Sequence, residues 1–149
     1  MQLNKNSTLA EIIEYVTRSN SMEDRANDFL LAYNTLSFFK VFINRCFFVE
    51  NDMKLFNDYQ LKTKFKPLDK SRLLTNTREV IDNYLPRLVD SSPMKLSTKY
   101  SLFSSLLEEV AGEDIHLLIG MVKGKYVGDS RINNLFLSKI FNEKKLSGV

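Results

Sequence analysis

The chain has one cysteine, Cys46, and one histidine, His116, among 149 residues. A lone thiol forms no intramolecular disulfide and no cysteine-based metal cluster, so a reducing compartment is expected. Cys46 stands among Phe42, Ile43, Phe47 and Phe48, where a free cysteine behaves as a small core hydrophobe rather than a nucleophile. The lone imidazole lies between Ile115 and Leu117 and has no second histidine or cysteine with which to build a zinc or iron shell. It would also have to be the base of any Ser/His/Asp or Cys/His triad. His116 therefore reads as a surface or structural residue, and neither a metal nor another cofactor is expected.

Proline and glycine are scarce, at three and five residues, and hydrophobic and charged residues make up 44% and 26% of the chain. This composition excludes a disordered or fibrous protein. Long apolar runs are lacking too. Stretches such as Phe47 to Val49 and Leu117 to Ile119 fall far short of the roughly 20 residues that cross a bilayer. The polar start, Met1 to Ser7, lacks the basic opening and apolar centre of a signal peptide. A cytoplasmic protein without membrane association is expected. The length suits one domain over residues 1–149, able to bury roughly two thirds of its unfolded surface. No fixed-period repeat, low-complexity tract or composition break marks a second.

What is present is helical periodicity. Thr8 and Glu11 have capping-box spacing, and Leu9, Ile12, Ile13 and Val16 follow at helical intervals, predicting a helix from Thr8 to Arg18. Ser21 and Asp24 open a second, with Met22, Ala26, Phe29, Leu30 and Tyr33 on one face. Between Thr35 and Phe48 the apolar residues cover more than half the circumference, which predicts a central helix. Met53, Leu55, Tyr59, Leu61 and Phe65 alternate loosely and end at Pro67, suggesting an irregular connection near 51–68 or a short edge strand.

Asp69 or Ser71 is expected to cap a helix, with Leu73, Leu74, Val80, Ile81, Tyr84 and Leu85 inward, that Pro86 interrupts. Ser97 opens a helix with Tyr100, Phe103, Leu106, Leu107 and Val110 inward, and Gly112 is expected as its left-handed stop. Glu113 and Asp114 start the next helix, ended by Lys123 and Gly124. A last helix begins near Ser130, with Ile132, Leu135, Phe136 and Ile140 inward, before a frayed tail over 143–149. The fold class expected is all-α, one compact domain of about seven helices.

The motifs that carry chemistry are excluded in turn. The acid pairs Glu108, Glu109 and Glu113, Asp114 are adjacent on a helix, where side chains diverge by about 100°. Acids at a helix start have a sufficient role against its dipole. The run Lys123, Gly124, Lys125, Tyr126, Val127, Gly128, Asp129, Ser130, Arg131 lacks the Gly, four residues, Gly-Lys-Ser/Thr order of a phosphate loop and its preceding strand. It also inverts Gly and Asp relative to the Lys-x-Asp-Gly-x-Arg motif of nucleotidyl transfer. No enzyme is expected.

Charge placement remains. The net charge is only +3, yet two basic clusters stand out. Lys62, Lys64, Lys66, Lys70 and Arg72 surround Phe65 and follow Tyr59, while Lys123, Lys125, Arg131, Lys139, Lys144 and Lys145 crowd the C-terminal part. Lysines two apart in an extended segment share one side and suit a track of backbone phosphates.

Taken with the helix Leu9 to Val16, the block Leu102, Phe103, Ser104, Ser105, Leu106, Leu107, Glu108, the continuation Glu113 to Lys125 and the closing Ile140, Phe141, the chain resembles a family of small proteins encoded by T-even-like tailed bacteriophages. It is also similar to the helical DNA-binding domain that precedes the catalytic core of phage ATP-dependent DNA ligases. That domain closes with a helix, a glycine-bearing turn and a helix carrying Ile-Asn, and Leu117 to Met121 with Ile132, Asn133 occupy those places. The ligase core and the proline after the last helix are absent, and the glycine spacing differs. The resemblance implies a free-standing DNA-binding module in an infected bacterial cell. The expected function is a non-enzymatic accessory protein that binds DNA through Lys62, Lys64, Lys66, Lys70, Arg72, Lys123, Lys125, Arg131 and Lys139. The alternative is an adaptor or inhibitor of a phage replication or host protein.

Overall fold

The computed structural model describes residues 3–4, 7–61 and 80–141. Helix α1, Leu9–Thr17, begins where the sequence places it. The Thr8 hydroxyl accepts from the Glu11 amide at 2.9 Å and the Glu11 carboxylate accepts from the Thr8 amide at 2.9 Å. Such a reciprocal cap stabilises a helix by about 1 kcal/mol. A second carboxylate joins it from far along the chain, since buried Asp114 accepts from the amides of Leu9 at 2.9 Å and Ala10 at 3.0 Å. Negative charge among first-turn amides is favoured by both hydrogen bonding and the helix dipole.

Helix α2, Met22–Thr35, is capped by Ser21. Leu36, extended, both ends it and precedes α3, Ser37–Ile43. The helical run predicted to Phe48 changes pitch at Asn44, and 44–48 form one π-helical turn in which the Val49 amide reaches the Asn44 carbonyl. Phe38, Phe39, Phe42 and Ile43 are fully buried, each worth about 1.5–3 kcal/mol of transfer free energy.

The connection after α3 is neither extended nor an edge strand in its described part, 51–61. Met53, Phe56 and Tyr59 are all buried and stand three apart. The Phe56 amide bonds the Met53 carbonyl, Asn57 that of Lys54 and Tyr59 that of Phe56, the pattern of a 3₁₀ turn. Leu55, counted in the loose alternation, is exposed. Asp90 holds this turn as Asp114 holds α1, accepting from the amides of Lys54 at 2.9 Å and Leu55 at 3.0 Å.

The start of the helix expected from Asp69 or Ser71 lies outside the described residues. A π-helical turn, 80–84, leads into α4, Leu85–Leu88. Pro86 does not interrupt it. The ring lies in the first turn of α4, directly after the π-helical turn, a position at which proline is tolerated. Lys99, fully buried in α5, Leu96–Glu109, donates to the carbonyls ending α4, Val89 O at 2.7 Å and Asp90 O at 3.4 Å.

Gly112 is not a left-handed stop. It opens a 3₁₀ turn, 112–114, that runs straight into α6, Ile115–Val122, so the chain needs no reversal there. The last helix, α7, is Asn134–Phe141, later than expected. Leu135 on it is exposed, whereas Ile132 is buried ahead of it.

Seven α-helices and no strand are found among the described residues, an all-α fold. Phe29 of α2 is the hinge pin of the core, with ring centroids 5.8 Å from Phe136, 6.1 Å from Phe141 and 5.7 Å from Phe39. A second aromatic set, Phe56, Tyr59, Tyr100 and Phe103, ties the 3₁₀ turn to α5. No helix among the described residues is long and apolar enough to cross a membrane.

Candidate functional site

The segment between α6 and α7 carries three of the basic residues singled out in the sequence, Lys123, Lys125 and Arg131, and it is tightly built. Gly124 has φ +71°. Its amide bonds Met121 O and that of Lys125 bonds Gly120 O at 2.8 Å, the paired bonds of a Schellman stop. Four residues on, Gly128 permits a close approach. A Cβ there would stand 2.5 Å from the Tyr126 hydroxyl. That ring cannot yield, because it packs on Phe47 and Phe42 with centroids 5.1 and 6.2 Å away. Burial pushes the Tyr126 phenol well above its usual range, so it remains a donor, to Asp129 O at 3.0 Å.

Asp129 in turn fixes Arg131. Its carboxylate accepts from the Arg131 amide at 2.9 Å, from Nε at 3.0 Å and from Nη2 at 2.8 Å. Those bonds from Arg131, with the charge of Arg25 adding to them, hold the Asp129 carboxyl below its usual pKa. Arg131 is thus a paired cation in a fixed orientation. Asn133 closes the segment by capping α7. Its Oδ1 accepts from the Phe136 amide at 2.8 Å and its Nδ2 donates to Ser130 O at 2.8 Å.

Three cations converge where α2 meets this segment. Phe29 packs on Phe136, and Arg25, one turn earlier on the same face of α2, lines a pocket of about 220 Å³ with Arg131, Lys139, Ser130, Asn133 and Leu135. Among the described residues no carboxylate lines it. Arg25 Nη1 donates to Ser19 O at 2.8 Å. Its Nε is buried without a hydrogen-bond partner among the described residues, a state that costs about 1–3 kcal/mol while the donor is unmet.

Of the basic residues expected to act together, Arg131 and Lys139 share this pocket. Exposed Lys125 borders a neighbouring groove of about 600 Å³ that shares Ser130 and Asn133 with it. Half-buried Lys123 lines neither. Lys62, Lys64, Lys66, Lys70 and Arg72, with Lys144 and Lys145, lie outside the described residues. Arg25 escaped the sequence reading because it stands alone among acids in Glu23, Asp24, Arg25. Its four-residue spacing to Phe29 was the available signal.

The remaining polar candidates separate from one another. Asp114 is a buried cap, while Glu113 and exposed His116 line an open groove of about 550 Å³ with Glu14 and Asp129. Among the described residues no three His, Cys, Asp or Glu are grouped to hold a metal ion. The Cys46 thiol faces Lys125 O at 3.6 Å, and burial pushes its pKa up to about 12. At neutral pH it is a thiol, not a thiolate. No protein family, curated protein or solved structure matches this chain.

Proposed function

We propose that this chain is a non-enzymatic accessory protein that binds DNA, contacting the sugar–phosphate backbone through the basic turn before α7. The observation that carries the reading is the convergence of Arg25, Arg131 and Lys139 on a pocket that no carboxylate lines among the described residues, beside exposed Lys125. Cations held by a rigid segment lose little freedom on binding, so more of their attraction to phosphate survives as affinity. Contacts of this kind position a duplex or single strand without reading its sequence.

The resemblances to a T-even-like phage protein family and to the DNA-binding domain of phage ligases support a role in replication or repair in the cytoplasm of an infected bacterium. Lys62, Lys64, Lys66, Lys70 and Arg72 are proposed as further contacts to backbone phosphates. Fluorescence anisotropy with duplex and single-stranded DNA tests the proposal. Each phosphate contacted on a duplex should weaken binding roughly 3- to 4-fold between about 50 and 200 mM salt. Binding that ignores salt, or none at low salt, would remove it.

A second reading, an adaptor or inhibitor of a phage replication or host protein, rests on Leu135 and Val127, exposed by 66% and 54%. A complex from lysate that survives nuclease treatment would favour it.

A further inference from the structure

We propose that the pocket between α2 and α7 seats a single phosphoryl dianion, and that its source is the terminal phosphate monoester of a nucleic-acid strand. The proposal rests on the DNA-binding reading for that source alone. Three features of the pocket select the ligand.

Size comes first. At about 220 Å³ the pocket is smaller than the roughly 300–1,000 Å³ typical of sites that enclose a whole small molecule. It admits a group, with the rest of the ligand outside. Charge comes second. Arg25, Arg131 and Lys139 bring three positive charges, and the carboxylate bound to Arg131 cancels one. The remaining two match a phosphate monoester, which carries about −1.5 to −2 near neutral pH, better than an internal diester with a single charge.

Donor chemistry comes third. Asp129 occupies Nε and Nη2 of Arg131, and so aims the guanidinium without removing all its donors. Arg25 lines the pocket with its guanidinium, steadied by the Nη1 bond to Ser19 O, and Lys139 brings an ammonium on an exposed stem. Leu135, Met22 and Phe136 form the apolar wall, where a terminal sugar or base would rest.

The test uses the full chain and two 3′-labelled single strands, identical except for a 5′-phosphate or a 5′-hydroxyl, with anisotropy as readout. One charge-assisted contact predicts about tenfold tighter binding of the phosphorylated strand. Inorganic phosphate added in competition should erase that difference. Arg25→Gln and Lys139→Gln should each bring the ratio to one. Lys139 is exposed, so its variant keeps the test valid should Arg25→Gln fail to fold. Lys125→Gln should weaken both strands alike and leave the ratio intact.

Equal binding of both strands by the native protein overturns the pocket assignment while leaving the DNA-binding reading standing. Inorganic phosphate that raises the melting temperature of the native protein and not of Lys139→Gln, with neither strand bound, supports the phosphoryl seat and removes the nucleic-acid source. No response to strands or phosphate removes both.

Discussion

The Arg131 guanidinium and the Asp129 carboxylate meet edge to edge across two residues of sequence, Nε to Oδ1 at 3.0 Å and Nη2 to Oδ2 at 2.8 Å, with the Arg131 amide on the same Oδ1. One carboxylate thereby orients the side chain and shapes the backbone that carries it. The pair has a defined pH signature. The folded-state pKa of Asp129 is depressed, so its stability contribution is present above the ordinary carboxylate value of about 3.9 and is lost as pH falls through the folded value. The melting temperature should drop on acidification into that range, and less steeply for Asp129→Asn, which begins lower. Parallel curves for the two proteins would show that the pair does not stabilise the fold.

Gly128→Ala should destabilise by about 1–3 kcal/mol, because the new methyl meets a tyrosine that is itself held by two phenylalanines. Tyr126→Phe alone should cost about 1 kcal/mol through its lost bond to Asp129 O. Removing the hydroxyl also removes the atom nearest the added methyl, so the double variant should be more stable than the two single costs summed. Urea melts of the four proteins form the required cycle.

Cys46 should resist thiol reagents in the folded protein. With its pKa pushed up to about 12, the thiolate fraction near pH 8 falls roughly a thousandfold below that of a free cysteine. Labelling followed with and without denaturant measures the ratio, and equal rates would contradict the burial.

Lys99→Met should cost about 1–3 kcal/mol, since it leaves the carbonyls of Val89 and Asp90 without their buried donor. Chemical denaturation reads this directly. A cost near zero would mean that water replaces the ammonium.

What could be read in advance was local. Thr8 and Glu11 are three residues apart and satisfy each other, so their spacing alone locates α1. Gly124 ends α6 through bonds that span three and five residues, and it too was legible. Met53, Phe56 and Tyr59 misled because a period of three over so short a stretch resembles loose alternation when Leu55 and Leu61 are counted with them. Gly112 was misassigned because a helix stop and a helix start carry the same glycine when no loop separates them. In the candidate site, Lys125, Arg131 and Lys139 were visible as charge. The partner of Arg131 and the approach of Arg25 were not, because one depends on loop geometry and the other on the packing of Phe29 against Phe136.

The Asp114 carboxylate reaches the first turn of α1 across 105 residues of sequence, and this gives the fold an order in time as well as in space. A ribosome adding about 5–20 residues per second releases α1 some 5–20 s before it releases the acid that completes the cap. During that interval the opening helix has its own Thr8 and Glu11 and its neighbour α2, but not the distant charge. The first helix made is therefore among the last to be finished: its apolar face, Leu9, Ile12, Ile13 and Val16, can meet α2 early, but its amino-terminal cap is complete only when the turn ahead of the sixth helix arrives.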